Sequence, residues 1–172
     1  MNSRRIWKLS LMGAPGAGKS SIISRIVYDT DASGSTVRGL LTKKIKVPHN
    51  GKMLDFEFIF QEIDNMDDGT KFIAGSSGII LIFDVTQSMN ASEVDKLAKF
   101  INSLEKKPLI FIAANKIDRK YEAVTWQEDL GPLAKSMDAP LYMISSRMPD
   151  TVSTMIRDIA IILMEKKNEK RN

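Results

Sequence analysis

The eight residues Gly13-Ala14-Pro15-Gly16-Ala17-Gly18-Lys19-Ser20 satisfy the pattern G-x-x-x-x-G-K-[ST] and directly follow an apolar run, 6–12, of buried-strand length. Glycines at 13, 16 and 18 free the backbone to curl so that its N–H groups converge on an anion. Lys19 adds a cation, and the hydroxyl of Ser20, with Ser21 beside it, offers an oxygen ligand for Mg²⁺. Ile22, Ile23, Ile26 and Val27 then recur at helical spacing, so the positive end of a helix lies beneath the loop. The chemistry is phosphate binding, and this motif does not identify the base.

A second group of residues does. Asn115-Lys116-Ile117-Asp118 stands immediately after an apolar run ending at Ala114, the place where an α/β sheet presents its ligand groups. A carboxylate there accepts hydrogen bonds from the ring N–H and exocyclic amine of guanine; adenine has no such donor pair on that edge and leaves the acceptor unpaired. Asp118 is therefore expected to select guanine, Asn115 to bridge to the phosphate loop, and the aliphatic stem of Lys116 to cover the flat base. Farther on, Ser145-Ser146-Arg147 carries backbone amides and hydroxyls that can close over the base. Taken singly, N-K-x-D and S-S-R are ordinary polar turns, and only the phosphate loop upstream makes them parts of a ligand site.

These groups need strands and helices in alternation, and the patterning supplies them. After a loop at 29–39, two β-prone runs, 40–47 and 53–63, flank Pro48-His49-Asn50-Gly51, a strong hairpin signal in which the lone His49 is a turn residue. Continuous apolar runs at 79–83 and 109–114 read as strands covered on both faces, and 141–145 as a last short strand. Helical periodicity runs through 88–107, with Asn90 or Ser92 as cap, and through a helix opened by a capping box of Thr125 and Glu128. It closes the chain at 150–167. The fold class expected is α/β of the P-loop type: a mostly parallel six-stranded sheet with one antiparallel hairpin strand and helices on both faces.

Composition sets the outer limits. At 172 residues, 43% hydrophobic and 27% charged, residues 1–172 suit a single domain, with 168–172 a frayed basic tail. The net charge of +4 is spread over scattered Lys and Arg, so no nucleic-acid partner is expected. The absence of cysteine excludes disulfides, thiol catalysis, Cys-containing zinc sites and prenyl or palmitoyl attachment; Asn2 in place of Gly excludes myristoylation. No direct membrane anchor and a cytoplasmic location are expected.

The phosphate loop, N-K-x-D and S-S-R, in this order over nearly the whole chain, resemble the small GTPases of the Ras superfamily, of Rab- or Arf-like type. GIILIFDVT, 78–86, is similar to the strand before the third helix of Rab-type members. The resemblance implies a GTP/GDP switch that binds GTP or GDP with Mg²⁺ and meets a regulatory or effector protein through two switch loops. It assigns 13–21 to phosphates, Asn115, Lys116 and Asp118 to guanine, and Ser145, Ser146 and Arg147 to the base-closing loop, with Arg147 in place of the usual Lys. It also implies metal residues: Ser20, a first-switch Thr best matched by Thr36 (Thr42 is a second choice), and an Asp of D-x-x-G in the second switch.

That last motif is missing. Asp64-Asn65-Met66-Asp67 keeps an Asp at a strand end but sets Asp67 where Gly is expected and Asp68 where a water-positioning Gln is expected; an ungapped register from Asp84 would instead begin the motif within 58–61. An extra carboxylate repels the γ-phosphate, and Pro15 has no N–H to give it. Slow intrinsic hydrolysis is the expectation. Two alternatives share the motifs. One is a guanine-nucleotide-binding regulatory module without turnover. The other is a P-loop nucleotide kinase, which would commonly have Gly after Lys19, would need converging arginines, and would leave 115–118 without a job.

Overall fold

The computed structural model describes residues 5–30, 39–64 and 73–170. In chain order the elements are β1 (Arg5–Met12), α1 (Lys19–Tyr28), β2 (Leu41–His49), β3 (Lys52–Ile63), β4 (Gly78–Asp84), α2 (Ala91–Asn102), β5 (Leu109–Asn115), a 3₁₀ turn (Ile117–Glu122), α3 (Gln127–Ser136), β6 (Leu141–Met143) and α4 (Pro149–Glu169). They build the expected six-stranded sheet, in the order β2-β3-β1-β4-β5-β6. Among these strands only β2 and β3 pair antiparallel. Their turn is made by Asn50 and Gly51, both at positive φ (49° and 73°), the geometry that matches strand twist in a two-residue hairpin.

Alternation along the central strands divides the core. Ile80, Ile82, Phe111 and Ala113 face the side covered by Ile22 and Ile23 of α1 and Ile156, Ile159 and Leu163 of α4. Ile79, Leu81 and Ile112 face the side closed by Ile101 of α2 and Ala134 of α3. Helices on both faces explain why these strands read as unbroken apolar runs. Gly78 opens β4 because a Cβ there would stand 2.9 Å from the Phe111 ring and 3.0 Å from Leu9.

Parallel register then brings the functional strand ends together. Met12 lies beside Ile63 and Leu81, Asp84 beside Asn115, and Ala114 beside Met143. The loops that follow β1, β3, β4, β5 and β6 therefore leave from one edge of the sheet, where an α/β fold holds its ligands.

Three local expectations are corrected. The helix expected over 88–107 is confined to Ala91–Asn102: Asn90 Oδ1 caps it by accepting from the amides of Ser92 (3.0 Å) and Glu93 (3.4 Å), and the Ser103 hydroxyl bonds back to Phe100 O at 2.6 Å, competing with continuation. The start of α3 lies one residue later than expected, and only the Asp129 half of a capping box forms. Thr125 Oγ1 donates to Gln87 O (2.7 Å), and it is Asp129 that accepts from the Trp126 amide (2.8 Å). The last helix continues to Glu169, into the stretch expected to fray. No helix among the described residues is long and apolar enough to cross a membrane.

Candidate functional site

The loop from β1 to α1 owes its shape to three glycines. Gly16 and Gly18 sit at φ +80° and +101°, where a side chain is strained, and a Cβ on Gly18 would meet Asn115 Nδ2 at 2.3 Å. Gly13 has an ordinary φ, but its Cβ would fall 2.5 Å from Ile82 O in β4. Because Gly18 is also the N-cap of α1, no side chain caps the first turn, and the helix presents its amides toward the loop. Ala14, Pro15 and Gly16 are exposed, whereas Lys19 is buried. An ammonium taken out of water must be paired. Lys19 Nζ donates to Gly13 O (2.7 Å) and Ala14 O (3.2 Å), with Asp64 Oδ1 at 3.5 Å.

The loop after β5 is bolted to this one. Asn115 Nδ2 donates to Ala17 O at 2.8 Å, and Lys116 Nζ donates to Gly16 O at 2.8 Å and to Asp84 Oδ2 at 2.7 Å. Asn115 Oδ1 is buried without a hydrogen-bond partner among the described residues. Lys116 holds φ 68°, a conformation that costs a non-glycine residue of order 1–3 kcal/mol and persists only where surrounding contacts enforce it. Its two bonds do so. Asp84 Oδ1 in turn accepts from the amide (2.8 Å) and hydroxyl (2.7 Å) of Thr86. Burial alone would raise the Asp84 carboxyl, but the bonds from Lys116 and Thr86 outweigh it and hold the group below its ordinary value.

Asp118 and the loop after β6 form the third wall. Asp118 Oδ1 accepts from Ser145 Oγ at 2.6 Å, and Arg147 Nη1 lies 3.8 Å from Oδ2. The amides expected to close over a base are partly committed elsewhere: Ser145 N donates to Thr151 Oγ1 (3.0 Å) and Arg147 N to Ser145 Oγ (3.1 Å). Ser145 thus braces the carboxylate and its own turn.

Four residues at the site escape motif reading: Arg25, Glu62, Asp84 and Thr86. Asp84 and Thr86 carry a local signal, the Asp-x-Thr spacing of a side-chain turn. Arg25 carries none for its link to the site, since Ser146 is remote in sequence. Its Nε donates to Ser146 O at 2.6 Å and its Nη1 to Asp29 O at 3.0 Å, tying the end of α1 to the loop after β6. Arg25→Ala is expected to speed release of a fluorescent GDP analogue roughly 10-fold, the equivalent of one charge-assisted bond, with Arg25→Lys recovering part of it. Stopped-flow displacement measures this, and an unchanged rate would contradict it.

On the opposite flank Ser20 Oγ donates to Glu62 Oε2 at 2.6 Å. Burial pushes the Glu62 carboxyl above its ordinary value; the Ser20 bond opposes this and nearby Asp64 adds to it. Asp64 follows the last residue of β3 and is exposed. The alternative register over 58–61 is excluded as a loop motif, because Phe58 and Phe60 are fully buried in mid-strand. Thr36, Asp67 and Asp68 lie outside the described residues, and Thr42 is exposed on the edge strand β2. The donor set near Ser20 is entirely oxygen, the chemistry Mg²⁺ prefers. A cavity of about 820 Å³ opens beside the phosphate loop, bordered by Gly13, Pro15, Asp64, Asp84 and Lys116.

Comparison with known proteins agrees with this geometry. The Ras family profile matches residues 8–165. The chain is 27% identical to the Ras-related protein SEC4 of Candida albicans, over 96% of this chain and 80% of that protein. It is 28% identical to SEC4 of Saccharomyces cerevisiae (94% and 76%) and 29% identical to the Ypt/Rab-type GTPase YPT7 of the same yeast (93% and 83%). A nucleotide kinase would leave 115–118 unexplained, and a module without switching is not favoured by these relatives. The chain belongs to the Ras family of small GTPases, proteins that switch between GTP and GDP states.

Proposed function

We propose that this chain holds GDP or GTP with Mg²⁺ through residues 13–21 for the phosphates and Asn115, Lys116 and Asp118 for guanine, closed by Ser145, Ser146 and Arg147. One observation carries the assignment. Asn115 and Lys116 hydrogen-bond to the carbonyls of Ala17 and Gly16, which holds the start of the N-K-x-D loop against the phosphate loop. Ser20 supplies a metal ligand, with Asp64 and Thr36 as its companions. The two stretches that follow α1 and β3 meet a regulatory or effector protein, and the chain works in the cytoplasm. Calorimetry with GDP and Mg²⁺ tests the binding assignment. Tight binding of GDP against none for ADP is expected, and equal affinity for the two would remove it.

Turnover is slow in this reading. Pro15 offers no N–H, and carboxylates stand at 67 and 68 where a glycine and a glutamine would serve hydrolysis. Single-turnover GTP cleavage is expected roughly 10-fold or more below the ~10⁻⁴ s⁻¹ scale of unassisted small GTPases. A rate on that scale would refute the expectation while leaving nucleotide binding intact.

A further inference from the structure

We infer that the short segment 84–87, at the end of β4 and just beyond it, grips the guanine-binding loop at both of its ends, and that Asp84 is the positioning residue that fixes Lys116 and so sets how long guanine nucleotide is retained. The inference rests on the guanine-nucleotide reading above and adds to it residues that no motif designates.

The near end of the loop is held twice. Val85 N donates to Asn115 O at 3.1 Å, which fixes the backbone where β5 runs out, and Asp84 Oδ2 accepts from Lys116 Nζ at 2.7 Å. Thr86 decides which oxygen Lys116 receives. Its amide and hydroxyl both go to Oδ1, at 2.8 and 2.7 Å, so that Oδ2 is the oxygen that meets the ammonium. The Asp84 side chain is 9% exposed and that of Lys116 28%, so water and salt screen this pair less than a surface pair. With its second bond, to Gly16 O, the ammonium stands between two fixed acceptors, and the aliphatic stem assigned to cover the base runs between set points.

The far end is held by the same segment. Val85 O accepts from the amides of Val124 (2.8 Å) and Thr125 (3.1 Å), and Gln87 O accepts from Thr125 Oγ1 at 2.7 Å. Asp118 therefore belongs to a loop, 115–125, whose two ends close on one four-residue piece of chain. A loop fixed at both ends loses little freedom on binding, and that preorganisation strengthens retention.

The test is the release of a fluorescent GDP analogue in saturating Mg²⁺, chased with excess GDP, for wild type, Asp84→Ala, Asp84→Asn, Lys116→Ala, the Asp84→Ala/Lys116→Ala double variant and Thr125→Val. Asp84→Ala is expected to release about 10- to 100-fold faster, the equivalent of one charge-assisted bond. Asp84→Asn separates positioning from turn structure: its one oxygen can go on accepting from Thr86, but its amide sets a donor against the Lys116 ammonium, so release nearly as fast as in Asp84→Ala is expected. The double variant is expected to match Lys116→Ala within about 2-fold, because loss of the ammonium already removes what Asp84 holds. Thr125→Val loses only the hydroxyl bond to Gln87 O and is expected to release about 2- to 10-fold faster. Wild-type release by Asp84→Ala, full rescue by Asp84→Asn, or effects of Asp84 and Lys116 that multiply would each overturn the role of Asp84, and wild-type release by Thr125→Val would overturn the grip at the far end. Wild-type protein that retains no GDP at all would overturn the nucleotide reading itself, an outcome distinct from these.

Discussion

Lys19→Ala removes measurable GDP and GTP binding. The ammonium is 3% exposed and makes two hydrogen bonds to the loop's own carbonyls, Gly13 O and Ala14 O, so its position is held before any ligand arrives. A bound polyphosphate gains a buried cation at no cost of ordering a flexible side chain, and charge-assisted bonds of this kind contribute about 1.5–3 kcal/mol each. Two of them correspond to at least ~100-fold in affinity. Alanine also leaves two carbonyls without their donor, which loosens the curl that gathers the amides. Calorimetry on the variant reads the loss directly. A dissociation constant within 10-fold of wild type would mean that the anion sits elsewhere. Circular dichroism should remain that of the wild type, since β1 and α1 are packed through Leu9, Leu11, Ile22 and Ile23 and not through Lys19.

Asp118→Asn is expected to weaken the preference for guanine by roughly 10- to 100-fold while sparing phosphate affinity. The reason is chemical: a carboxylate is acceptor-only, and replacing one oxygen by an amide sets a donor against a donor of the guanine edge. The structure makes this a clean test. Asn retains one oxygen that can go on accepting from Ser145 Oγ, so the brace between the two loops survives. The exposed Arg147, 3.8 Å away, contributes under ~1 kcal/mol and changes little. Competition between GDP and IDP, which lacks the exocyclic amine, gives the readout. An unchanged ratio of affinities would remove Asp118 from base recognition.

Legibility in the sequence followed locality. Motifs whose members are neighbours in the chain were readable together with their place in the fold, because a turn, a strand end and a helix start are encoded within a few residues. The hairpin at Asn50-Gly51 and the strands at 79–83 and 109–114 belong to this class. Helix limits were less so. Ser103 and Thr125 each had a second use for their hydroxyls, a bond to Phe100 O and to Gln87 O, that composition does not reveal. Arg25 and Glu62 were invisible for a different reason: an Arg on a helix and a Glu on a strand look like solvated charges until their partners arrive.

By itself, then, the sequence determined the fold class, the order of strands and helices, and the kinds of group that meet phosphate and guanine. Tertiary structure decided which groups meet. Parallel register brought the ends of β1, β3, β4 and β5 to one edge, and only there did Ser20 find Glu62, Lys116 find Asp84, and Arg25 find the Ser146 carbonyl. Patterning arises from short-range preferences summed along the chain, whereas hydrogen bonds between remote residues exist only once the core has set their distances to a fraction of an ångström.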